Sequence, residues 1–150
     1  MLEAIRILAG RYTVFVFDNR PIPREPRDRF ISVDNQSLPV ALAMVAQMDA
    51  VLAPDSAYIH VAGSNGIPCL GLFGPTGGKV RTKGYPSVRY FDMRRTLACI
   101  PCWRNENQKC EFGGGYVSVC MRLMTAPMIV RAFEDLLRDT GVIGSEQRIV

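Results

Sequence analysis

Long apolar runs are what this 150-residue chain most plainly lacks: no stretch reaches the roughly 18 uncharged apolar residues of a membrane-spanning helix. Its first residues, MLEAIRILAGRY, carry Glu3 and Arg6 inside the apolar run and so do not read as a secretory leader. With neither feature, a cytoplasmic location is the expectation, and the five cysteines then read as thiols or metal ligands before disulfides. Charge of one sign is also scarce. The 18 basic and 14 acidic residues leave a net charge of +4, and bases and acids are interleaved. Aromatic residues do not alternate with basic ones, so a nucleic-acid-binding surface is not indicated. No G-x-G-x-x-G follows the first predicted strand, which sets aside a small dinucleotide-binding oxidoreductase. Internal repeats and low-complexity segments are absent, and there is one histidine, His60.

What is present is the material of one domain, with 48% hydrophobic residues, enough to bury a core. LEAIRILAG has helical spacing and stops at Gly10; YTVFVFD (12–18) is an almost continuously apolar strand. After the Pro-rich loop NRPIPREPRDR come a strand at 30–33, a helix at 37–49 capped by Ser37 with Pro39 in its first turn, and a strand at 50–55. A short helix at 56–66, a strand at 68–75 and a strand at 88–91 follow. The chain then enters a cysteine-bearing loop at 97–122 and a terminal helix at 126–141. That helix puts Ala126, Ile129, Val130, Phe133, Leu136 and Leu137 on one face. Apolar strands alternating with helices predict an α/β fold, a Rossmann-like parallel sheet covered by helices on both faces, over residues 1–141. Residues 142–150 read as a flexible, frayed tail.

Ligands of such sheets bind at the carboxyl ends of the strands, where two turns of this chain fall, Pro54-Asp55-Ser56 and Gly74-Pro75-Thr76. Asp55 and Ser56 stand where a strand feeds a helix. Either could cap that helix, and its free N–H groups could equally hold a phosphate. His60 lies one turn further in on the same face and could be a core residue or a donor to a phosphate oxygen. FGPTGGK (73–79) is Gly-rich but is no Walker A motif, because only three residues separate Gly74 from Gly78-Lys79 and Val80 follows.

Cys99, Cys102, Cys110 and Cys120 are spaced C-x2-C-x7-C-x9-C. The first pair matches a half-site of a tetrahedral structural metal, which makes the four thiolates candidate zinc ligands; reduced thiols packing an irregular loop are the alternative. Cys69, in an apolar strand, reads as a core residue.

These pieces in this order resemble the C-terminal half of glycosyltransferase family 9, the ADP-heptose:lipopolysaccharide heptosyltransferases and their relatives. The family's D-S-G-x-x-H-(L/V)-A is matched by Asp55, Ser56, His60, Val61 and Ala62, with Ala57 where the family has glycine. Its F-G-P-T is matched by Phe73 to Thr76, its C-x-P-C by Cys99, Pro101 and Cys102, and its later Cys-Met pair by Cys120-Met121. The resemblance covers about residues 12–138. It implies a GT-B architecture, in which this half binds a nucleotide-diphosphate sugar such as ADP-heptose for inverting, metal-independent transfer in lipopolysaccharide assembly. Any cysteine-bound zinc would then be structural.

Asp55 would contact the donor sugar or diphosphate, while Ser56, Ala57, His60 and the Gly74-Pro75-Thr76 turn would hold the diphosphate. A family carboxylate that binds the nucleotide ribose lies in the region of Glu25. The family's acceptor site and catalytic carboxylate belong to an N-terminal domain without counterpart in these 150 residues. The resemblance therefore implies no catalytic residue here and predicts a fragment, inactive alone, whose saccharide or lipid-linked acceptor is bound elsewhere. Peripheral association with a membrane is compatible with that role. The alternative reading is a metal-stabilised interaction module built on a degenerate nucleotide-binding domain.

Overall fold

The computed structural model describes residues 1–18, 21–105, 107–142 and 148–149, the last two by their backbone. Helices and strands alternate as the apolar pattern predicts: α1 (Leu2–Ala9), β1 (Thr13–Asp18), β2 (Ile31–Asp34), α2 (Leu38–Val45), β3 (Val51–Pro54), α3 (Ala57–Ser64), β4 (Cys69–Leu72), α4 (Gly78–Arg81) and β5 (Val88–Phe91). Then come α5 (Val119–Leu123), α6 (Ala126–Asp139) and β6 (Arg148–Ile149). All strand pairings are parallel.

The helices cover both faces. On one side α1 and α6 build a core with Val14, Leu70 and Leu72; on the other α2 and α3 build a second core with Val51, Ala53, Cys69 and Phe73. β1 serves both, since successive side chains of a strand point to opposite faces: Val14 and Val16 join the first core, Phe15 and Phe17 the second. This is why its sequence is apolar without alternation. In α6 the six residues expected on one face are all buried. At about 1.5–3 kcal/mol for each large side chain, that stripe contributes on the order of 10 kcal/mol of gross burial energy.

Four expectations need correction. The strands form two three-stranded sheets, ordered β2-β1-β6 and β3-β4-β5, where one continuous sheet was expected. Arg148–Ile149, in the segment read as a frayed tail, pair in parallel with Thr13–Val14; residues 143–147 and Val150 lie outside the described residues. The cysteine loop is not irregular throughout, because its end winds into α5. Ser37 stands at the N-cap of α2 with extended backbone, but its hydroxyl makes no capping bond.

Candidate functional site

β3 and β4 are neighbours in register, with Pro54 opposite Leu72, so the chain leaves both strands at the same edge of the sheet. Asp55 and Ser56 follow the first strand and lead into α3, while Phe73 to Gly77 follow the second and lead into α4. Arg81 closes the space between the two turns, its Nε 3.7 Å from Asp55 Oδ2. A residue that follows the second turn thus contacts a residue of the first.

The capping reading of Asp55-Ser56 fails. Ser56 sits at the N-cap with extended backbone (φ −156°, ψ 172°), yet no side chain caps α3. Its Oγ is buried and has no hydrogen-bond partner among the described residues. Leaving a buried hydroxyl unpaired costs about 1–3 kcal/mol, a cost that a ligand oxygen at this point would remove. The first N–H groups of any helix also lack intrahelical partners, and Ala57, which begins α3, is exposed.

Gly74 is buried because it must be small. A Cβ there would stand 2.8 Å from Met121 Cγ and Sδ and 3.1 Å from Cys120 Sγ, so close packing of α5 against this turn dictates the glycine. The C-I-P-C-W segment completes that wall. The Trp103 N–H donates to the Pro75 carbonyl at 2.8 Å, and the Arg81 guanidinium lies 5.9 Å from the centre of the Trp103 ring. Pro75 and Thr76 are half-buried.

Of the four cysteines proposed as metal ligands, two join this packing. Cys99 and Cys120 join the first core, Cys110 is buried and Cys102 is exposed. Among the described residues no three His, Cys, Asp or Glu side chains are placed to hold a metal ion. Burial pushes the Cys120 thiol up, whereas backbone N–H groups, that of Val119 first, pull the Cys110 thiol down. Cys69 is fully buried, as expected, and its thiol is pushed up to about 12 by desolvation.

His60 pairs with Tyr85. It is half-buried, with Nδ1 3.2 Å from the Tyr85 hydroxyl and the two rings edge to face at 5.7 Å. If Tyr85 donates to Nδ1, the imidazole keeps its N–H on Nε2. Glu25 is engaged on the α1 side, 3.0 Å from Arg6 and 2.9 Å from Arg27.

Three residues of the crevice have no counterpart in the sequence reading: Arg81, Trp103 and Tyr85. Only Arg81 had a local signal, a basic residue in the turn of helix that follows a strand-end glycine loop. The other two depend on contacts distant along the chain.

The sequence model of glycosyltransferase family 9 (heptosyltransferase) matches residues 35–111, just over half the chain. The match takes in both turns, Arg81 and the C-I-P-C-W segment. No curated protein and no solved structure gives a match.

Proposed function

Because the chain belongs to glycosyltransferase family 9, we propose that it is the donor-binding half of an inverting, heptosyltransferase-like enzyme and holds a nucleotide-diphosphate sugar between the Asp55 and Gly74 turns. The observation that carries this reading is the Arg81–Asp55 contact across the two turns. A guanidinium at the mouth of a helix-lined crevice suits a diphosphate, and a short carboxylate beside it suits sugar hydroxyls.

Magnitudes favour Arg81 as a mobile phosphate ligand. Its tie to Asp55 is a partly exposed ion pair worth about 0–1 kcal/mol, and its stacking on Trp103 adds about 0.5–1 kcal/mol. A charge-assisted bond to a phosphate oxygen is worth about 1.5–3 kcal/mol. The donor therefore outcompetes both restraints, and Arg81 swings from Asp55 to the diphosphate. Asp55 is then released to accept from the sugar. The Ser56 hydroxyl and the N–H groups of Ser56 and Ala57 bind the same diphosphate at the positive end of α3, with the Gly74-Pro75-Thr76 turn opposite and His60 Nε2 as a further donor.

The leaving group of the reaction is the nucleoside diphosphate, whose developing charge these donors stabilise. The acceptor hydroxyl is deprotonated by a carboxylate of the family's N-terminal domain, so no base is assigned among these residues. ADP-heptose and a lipopolysaccharide acceptor, on the cytoplasmic side of the membrane, are the substrates the family suggests.

Calorimetry with ADP- and GDP-sugars tests the reading. One of them should bind, and Asp55→Ala and Arg81→Ala should each weaken it tenfold or more, about 1.4 kcal/mol. Absence of binding to a well-folded protein would refute the donor site.

A further inference from the structure

Trp103, the one tryptophan of the chain, is fixed beside the crevice by contacts that leave much of its ring in the open. Its backbone is left-handed, φ 54°, a rare and costly state for a bulky side chain that persists only where the surroundings impose it. Two contacts with the second turn hold it. The Trp103 N–H donates to the Pro75 carbonyl, and the ring edge lies on Gly77, where a Cβ would stand 3.0 Å from Cζ2. The residue is nevertheless 50% exposed, so the ring is anchored by one edge and its surface is not used up in packing.

Arg81 stands between this ring and Asp55. Its Nε is 3.7 Å from Asp55 Oδ2, and its guanidinium carbon is 5.9 Å from the ring centre. The guanidinium thus joins two groups of different chemistry, a carboxylate that accepts hydrogen bonds and an indole face that takes apolar or cationic groups. A sugar ring calls for the same pair, since its hydroxyls radiate from the rim and its C–H groups cover the faces.

We propose that Trp103 is the platform on which the transferred sugar of the donor lies, and that Arg81 occupies this sugar subsite until the diphosphate draws it away. The assignment rests on the donor-site reading and adds to it the group that receives the sugar. With the diphosphate at Ser56 and Ala57, Asp55 is the neighbouring residue and Trp103 lies one guanidinium further on. The space between them adjoins the diphosphate, so it takes a ring bonded directly to phosphate. The nucleobase, a ribose further away, falls outside it. Once Arg81 turns to the phosphates, Asp55 accepts from the sugar hydroxyls and the indole covers the C–H face, which removes apolar surface of both from water.

The single tryptophan makes the test direct and free of substitutions. Acrylamide quenching of its fluorescence is measured on the whole chain alone, with ADP-glucose or GDP-mannose, and with ADP or GDP as the sugar-free controls. The nucleotide sugar that binds should lower the quenching constant about twofold, because it covers the exposed ring; the matching nucleoside diphosphate should leave it unchanged or raise it, because Arg81 departs and nothing replaces it. Calorimetry on variants gives a second readout. Trp103→Ala should weaken the nucleotide sugar about tenfold and the nucleoside diphosphate less than about twofold, whereas Trp103→Phe, which keeps an aromatic face, should retain most of the affinity.

Equal shielding of Trp103 by the nucleotide sugar and its sugar-free counterpart makes the ribose or the base the occupant and overturns the proposal. So does the absence of shielding while both ligands bind, and so does a Trp103→Ala effect that is equal for the two ligands or nil for both. In each of these cases the donor site itself stands. If no nucleotide binds the folded wild-type protein, the donor reading fails and the platform fails with it.

Discussion

Gly63 offers a sharp test of how the His60 side of the crevice is packed. It lies in the last turn of α3, and a Cβ built on it would stand 2.3, 2.5 and 2.8 Å from Cγ, Cδ1 and Cβ of Tyr85. Carbon atoms meet favourably at about 3.5–4 Å, so Gly63→Ala forces the ring outward and breaks its contact with His60. Overpacking of this kind costs about 1–3 kcal/mol. Against it stands the gain from replacing glycine by alanine in a helix, about 0.5–1 kcal/mol. The substitution should therefore destabilise the protein, by up to about 2.5 kcal/mol.

In a Tyr85→Ala background the obstacle is gone and only the helix term remains. There the same substitution should stabilise by about 0.5–1 kcal/mol. Urea unfolding followed by circular dichroism on the four proteins of the cycle reads both effects. The reasoning is refuted if Gly63→Ala acts with the same sign and size in both backgrounds, because the ring contact would then play no part.

Two further outcomes follow from the titrating groups. Alkylation of the native protein at pH 8 should label exposed Cys102 readily and Cys69 only on unfolding, since Cys69 is inaccessible and its thiol is pushed up to about 12; mass mapping that finds both labelled at one rate would contradict this placement. The Asp28 carboxyl is held below its ordinary value, chiefly by the Arg6 guanidinium donating to Oδ1 at 2.8 Å and then by the Glu25 N–H. A lowered carboxylate stabilises the fold above its unfolded value, near pH 4, and ceases to do so as pH falls through the folded value. The stability lost in Asp28→Asn should thus be larger at pH 7 than at pH 3, and a loss independent of pH would exclude the ion pair as its cause.

The features legible in the sequence are those set by local period. The α6 stripe repeats over fourteen residues and buries the six side chains its spacing selects. The strand-turn-helix steps at Asp55 and Gly74 announce themselves by an apolar run followed by polar or glycine residues. Strand order is another matter. It depends on which runs pair across distant sequence, and nothing in YTVFVFD or AVLAP says that the two strands belong to different sheets. The cysteines are legible only in part for a related reason: C-x2-C is compatible with a metal half-site, but where the third and fourth thiols stand depends on the path of the loop and on α5, which packs Cys120 against Gly74. At Ser56 the sequence leaves capping and ligand binding open, because an N-cap position does not oblige the hydroxyl to cap.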